Sequence, residues 1–108
     1  MCGRYAWVQK NSFQKPEISP ISPPPHSVSY NRAPGQVHPI IIQNGKDYKW
    51  STASWGIISD QKLAQSTPVP INARIETVSE KLIFQNSIRR RRCLVPADGY
   101  FEWQKNET

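Results

Sequence analysis

Cysteine follows the initiator methionine in this chain, so removal of Met1 makes Cys2 the first residue and sets an α-amine and a thiol on neighbouring carbons. The amine titrates near ~7.7–8.0 and the thiol near ~8.5 when unperturbed, so each keeps a reactive fraction at neutral pH. An aldehyde meeting that pair is captured first as an imine and then closed by the sulfur into a five-membered thiazolidine. An internal cysteine lacks the free amine and cannot do this. Cysteine at position 2 also arises by chance, and alone it decides nothing.

Other residue types suit such chemistry. Glu102 stands among Tyr100, Phe101 and Trp103; on a strand, Tyr100 and Glu102 share one face while Phe101 and Trp103 share the other. Aromatic flanks partly desolvate a carboxylate and raise its pKa toward neutrality, as a general acid or base requires. An exposed strand glutamate paired with a cation fits the same spacing. Asn72 offers an amide to orient a substrate oxygen, or a turn residue ahead of a helix. Arg4, Arg74 and the arginines at 89–92 carry forked donors suited to phosphate, or stay solvated. Trp7, Trp50, Trp55 and Trp103 divide between core and one or two platforms for stacking bases. His26 and His38 have no metal-ligand spacing with Cys2 and Cys93, so no metal or other cofactor is expected.

The elements that must position these residues read mainly as strands. Residues 5–8 are aromatic and branched, a strand that carries the terminus into a sheet. Residues 16–25 hold five prolines and form an extended surface loop. Residues 29–31 are extended, and Ala33-Pro34-Gly35 turns the chain. Residues 37–43 and 46–53 flank Asn44-Gly45, the clearest hairpin signal present, read as a type I′ turn at the core of a sheet with 55–58 continuing nearby. Residues 59–70 form a loop that delivers Asn72 and Arg74. Thr77-Val78-Ser79-Glu80 matches a capping box, starting a helix whose apolar face is Val78, Leu82 and Ile88 with Ile83 or Phe84. Its end runs into the arginines at 89–92, which complement the helix dipole. Residues 93–96 read as a strand, 97–99 as a turn and 100–103 as the returning strand, with a polar tail at 104–108.

The bulk composition bounds the function. A chain of 108 residues has room for one small domain, which buries less than about three-quarters of its unfolded surface. Two distant cysteines match reduced intracellular thiols better than a disulfide scaffold. No apolar run approaches the ~20 residues of a membrane span, and the first residues do not read as a secretion signal. Fourteen Lys and Arg against eight Asp and Glu give a net charge of +6, pointing to a polyanionic partner, nucleic acid before membrane, or to a merely soluble basic surface.

Five stretches then fall into a known order: Met-Cys-Gly-Arg-Tyr at 1–5, Tyr-Asn-Arg-Ala-Pro-Gly at 30–35, Trp-Gly-Ile-Ile at 55–58, Ile-Asn-Ala-Arg-Ile-Glu-Thr at 71–77, and Arg-Arg-Cys-Leu-Val-Pro-Ala-Asp-Gly-Tyr-Phe-Glu-Trp at 91–103. They resemble the successive motifs of the SRAP family, the SOS-response-associated peptidases or abasic-site processing proteins. The resemblance implies an α+β fold: a β-rich domain, mainly antiparallel, with one clear helix. It implies a protein of the DNA damage (SOS) response that grips single-stranded DNA at an abasic site and crosslinks to the ring-opened sugar as a thiazolidine. Cys2 matches the family's mature terminal cysteine, Asn72 its asparagine and Glu102 its glutamate. Arg4 and Arg74 fall at phosphate contacts, and Trp103 where a base stacks.

The family also uses a histidine in a His-x-Arg-x-Pro context, which this sequence does not reach and for which neither His26 nor His38 can stand. Residues 1–108 are therefore expected to be the N-terminal portion of such a domain, with sheet edges and apolar surface open to self-association or to a complementing C-terminal half. An intracellular setting is expected, cytoplasm or nucleoid for a bacterial or phage source. Two other functions stay open. One is a thiol peptidase, with Cys2 as nucleophile assisted by Glu102 and the Met1–Cys2 bond as its target. The other is a basic module that binds nucleic acid without forming an adduct.

Overall fold

A computed structural model of the chain describes residues 2–8, 29–56 and 70–105. Its elements are β1 (Tyr5–Trp7), β2 (Ser29–Arg32), β3 (Val37–Asn44), β4 (Asp47–Ser54), α1 (Leu82–Arg90) and β5 (Gly99–Tyr100). The strands form two antiparallel sheets, one in the order β2-β1-β5 and one pairing β3 with β4. This is the expected α+β fold, with mainly antiparallel strands and, among the described residues, one helix. The proline-rich stretch 16–25, His26, Ile57 and Ile58, the loop at 59–69, Met1 and the last residues of the tail lie outside the described residues.

The hairpin forms where the Asn-Gly signal stands, with its turn moved by one residue. Pairing runs from Val37↔Ser54 to Asn44↔Asp47, so Asn44 ends β3 and the two loop residues are Gly45 and Lys46. Gly45 takes the positive φ of 67° that the first position of a primed turn requires. The Ala33 turn is also built on glycine: Gln36 N–H donates to the Ala33 carbonyl, Pro34 leads and Gly35 has φ 81°, the signature of a type II turn. Two further bonds, Gly35 N–H to the Trp55 carbonyl and Trp55 N–H to the Gln36 carbonyl, tie this turn to the end of β4.

Period-two alternation makes β1 the centre of the core. Tyr5 and Trp7 are buried with half-buried Ala6 between them. Trp7, 1% exposed, stacks on Trp50 of β4 with ring centroids 5.4 Å apart, and Ile41 of β3 is fully buried opposite Trp50. Burying Ile41 alone contributes roughly 1.5–3 kcal/mol. The inner face of β1 thus packs against the hairpin, and the two sheets share one core.

That core contains a buried polar pair. His38 Nε2–H donates to the Ala33 carbonyl at 2.7 Å, which leaves Nδ1 as the acceptor for Arg32 Nη1–H at 3.3 Å. The Arg32 guanidinium also lies about 6 Å from the Tyr5 and Trp7 ring centres, within cation–π range. Its Nε and Nη2 find no partner among the described residues. His38→Leu strands both the carbonyl and another guanidinium nitrogen, so it is expected to cost about 3 kcal/mol, read as a lower urea midpoint at unchanged slope.

The helix begins later than the capping box predicts. The Thr77 carbonyl accepts N–H bonds from Glu80 and Lys81, closing a single turn. Lys81 is then extended (ψ 127°), and it caps α1 with no side-chain hydrogen bond. The break rotates the apolar face: Leu82 is 86% exposed while Phe84 is buried, with Ile83 and Ile88 half-buried. The strand predicted at 93–96 reduces to one bridge, in which Ile41 and Leu94 exchange both backbone bonds at 2.9 Å. The returning strand predicted at 100–103 shortens to β5, whose Tyr100 pairs with Tyr5. Leu82, Ile75, Tyr100, Phe101 and Trp103 leave open the apolar surface expected from the sequence.

Candidate active site at the Cys2 cavity

Two segments meet beside the core to make the site. Backbone bonds from Phe101 N–H to the Arg4 carbonyl (3.0 Å) and from Asp98 N–H to the Ala6 carbonyl (2.8 Å) extend the β1–β5 pairing in both directions. This fixes the segment that carries Cys2. Separately, Trp55 Nε1–H donates to the Ile71 carbonyl at 2.8 Å, pinning the residue next to Asn72 to the end of β4. Cys2 and Asn72, seventy positions apart, consequently line one cavity of about 620 Å³.

The cavity is graded from floor to mouth. Tyr5, His38 and Phe84 line it and are buried, so they form its floor; Arg91, Cys93 and Tyr100 line it and are exposed, so they stand at its mouth. Cys2 and Asn72 are half-buried between these levels. The rings of Tyr5, His38 and Trp55 pack at 5.5–6.2 Å in tilted and edge-on contacts, making an aromatic floor. The Cys2 thiol donates to the Arg4 carbonyl at 3.3 Å.

Burial raises the pKa of the Tyr5 phenol, with Arg32 pulling it back and Cys93 adding to the rise. Tyr5 therefore stays a neutral phenol across the physiological range. Partial desolvation where it lines the cavity also raises the Cys93 thiol, although the residue as a whole is exposed, and this makes it a weaker nucleophile. Both Cys2 and Cys93 are free thiols.

The remaining sequence candidates fall elsewhere. Arg4, Arg74, Glu102 and Trp103 are exposed, and none is among the residues that line the cavity. Arg4 Nη1–H donates to Asn31 Oδ1 at 3.2 Å, tying it to β2. Trp103 is 90% exposed, its indole open for stacking. Among the described residues, the predicted apolar wall does not enclose Glu102: Tyr100, Phe101 and Trp103 are themselves exposed, and β5 ends before Glu102. Among the described residues, no group of three or more His, Cys, Asp and Glu is placed to hold a metal ion. No helix among them is long and apolar enough to cross a membrane.

Sequence reasoning missed the helix's contribution to the wall. Phe84, Ser87 and Arg91 follow the i, i+3, i+7 spacing that places residues on one helical stripe, and all three line the cavity. That spacing was present in the sequence, masked by a face drawn through Leu82.

The family model described as SOS response associated peptidase (SRAP) matches residues 1–108. The chain belongs to the SRAP family. Among curated relatives, it is 33% identical to the abasic site processing protein YoqW of Bacillus subtilis (strain 168), over 97% of this chain and 49% of that protein. It is 32% identical to YoaM of the same organism, over 97% of this chain and 48% of the relative. The abasic site processing protein HMCES of Mus musculus is 29% identical over 77% of the chain and 27% of the mouse protein. This SRAP chain thus spans about half the length, or less, of the curated relatives it matches. No solved structure matches it.

Proposed function

We propose that this chain captures abasic sites in single-stranded DNA as a covalent adduct at Cys2, as part of a response to DNA damage. The convergence of Cys2 and Asn72 on one cavity carries this reading, and the names of the relatives support an abasic site as the target. Once Met1 is removed, the α-amine of Cys2 adds to the C1′ aldehyde of the ring-opened sugar. Loss of one water gives an imine. The sulfur then attacks the imine carbon while the thiol proton passes to nitrogen, closing a thiazolidine. The Asn72 amide hydrogen-bonds a sugar oxygen. Glu102 relays protons as the sugar opens. Arg4 and Arg74 hold flanking phosphates, and Trp103 stacks on a neighbouring base. The free thiols suit the intracellular setting this role requires.

The test is incubation with single-stranded DNA carrying one abasic site, resolved on a denaturing gel. A shifted band is expected with abasic DNA and not with an intact strand. Absence of that band from protein lacking Met1 would refute covalent capture. The exposure of Glu102 outside the cavity favours one second reading, reversible binding by a basic module. Under that reading, binding falls steeply with salt and no adduct survives denaturation.

Arg74→Ala provides an independent check on the DNA contacts. It is expected to weaken binding and flatten the slope of log K against log salt by about 0.7, the share of one single-strand phosphate. An unchanged slope removes Arg74 from the interface.

A further inference from the structure

Arg91 is the one Lys, Arg, Asp or Glu among the described residues that line the Cys2 cavity. Its companions Arg89, Arg90 and Arg92 are exposed and do not line it. The difference is helical phase. One stripe of α1 carries Phe84 and Ser87 toward the cavity, and position 91 continues it one turn beyond Ser87.

Ser87 holds Arg91 at two points. Its carbonyl accepts the Arg91 backbone N–H at 2.9 Å, and its hydroxyl accepts Arg91 Nη2–H at 2.8 Å. The second is the only hydrogen bond that the guanidinium makes among the described residues. Among the described residues nothing takes the donors on Nε and Nη1, which belong to a fork shaped for two oxygens of one anion. The guanidinium is thus tethered at the mouth of a cavity whose floor is aromatic.

A ligand that fits this gradient has a neutral reactive carbonyl at one end and an anionic group at the other. We propose that Arg91 anchors a phosphate borne by the same molecule whose aldehyde Cys2 captures. The cavity then selects phosphorylated aldehydes over neutral ones, soluble sugar phosphates included. Its volume of about 620 Å³ lies within the range of small-molecule sites, so a single phosphorylated sugar fits without a polymer around it. The inference rests on the reading of Cys2 as an aldehyde-capturing aminothiol. It adds a specificity residue and a substrate class to that reading.

The experiment compares 2-deoxyribose 5-phosphate with 2-deoxyribose. The rate of mass gain at Cys2, one sugar less one water, is followed by intact-mass spectrometry on the full chain lacking Met1. Free cysteine, run in parallel, gives the rate ratio due to open-chain aldehyde content alone. The chain is expected to exceed that ratio by about tenfold, the scale of one charge-assisted contact. Arg91→Gln is expected to bring the ratio down to that of free cysteine, and Ser87→Ala to lower it part of the way. Arg90→Gln, which alters an arginine outside the cavity, is expected to keep it.

A ratio equal to that of free cysteine in the unaltered chain overturns the assignment, as does a ratio that survives Arg91→Gln. Mass gain with neither sugar refutes the Cys2 reading itself and this inference with it, an outcome distinct from equal gain with both. A parallel arm with abasic single-stranded DNA identifies the phosphate's source. If Arg91→Gln slows that adduct too, the anchor serves the DNA backbone; if it slows only the sugar phosphate, the anchor serves soluble ligands.

Discussion

Cys2→Ser is expected to eliminate the denaturation-resistant adduct with abasic DNA, while salt-sensitive association persists. Serine keeps the α-amine, so the imine still forms, but it remains reversible. Without a thiol, no sulfur closes the ring that makes capture durable. Under the proposed function the association rests on different groups, Arg4, Arg74 and Trp103, which are exposed outside the cavity that Cys2 lines. Denaturing and native gels of the same mixtures separate the two effects. A stable adduct formed by the serine variant would remove Cys2 as the nucleophile, and Cys93, at the mouth of the same cavity, would become the thiol to examine.

The largest expected effect on stability comes from Trp7→Ala. Trp7 is 1% exposed and joins the two sheets by stacking on Trp50, with the Arg32 guanidinium 5.9 Å from its ring centre. Truncating a buried tryptophan costs about 3–5 kcal/mol. A single domain has only about 5–15 kcal/mol to lose. Much of the folded population should therefore disappear, and Cys2 should lose its place, because the strand that delivers it is the one being emptied. A fall in the urea midpoint together with loss of near-ultraviolet dichroism is the readout. A loss below about 1 kcal/mol would show that the two sheets do not share the core described above.

Local signals made part of this fold legible in the sequence. Asn44-Gly45 marked the hairpin, and the aromatic and branched residues from Tyr5 marked β1, because turn chemistry and period-two burial act between near neighbours. The one-residue shift of the turn was not legible, since register is set by the full length of pairing from Val37↔Ser54 onward. The capping box misled for a related reason. Thr77 to Glu80 does form a turn, but Lys81 breaks it, and the buried face passes through Phe84 instead of Leu82.

For the site, residue chemistry and the family resemblance both singled out Cys2 and Asn72, which line one cavity. Arg4, Arg74, Glu102 and Trp103 came from the same motifs, and the fold leaves them on the exposed surface. A carboxylate flanked by aromatics in sequence is desolvated only if those aromatics are buried, and here they are open. The burial of the Arg32–His38 pair depends on packing against Tyr5 and Trp7 of β1, a contact between distant segments that residue spacing alone does not encode.

The most direct test of covalent capture through Cys2 is mass spectrometry of the product with an abasic oligonucleotide. The adduct is predicted to weigh the chain without Met1 plus the oligonucleotide, less one water. Peptide mapping is predicted to place the added mass on the fragment that begins at Cys2. An adduct on any other residue, or no adduct from protein whose Met1 has been removed, would contradict that account.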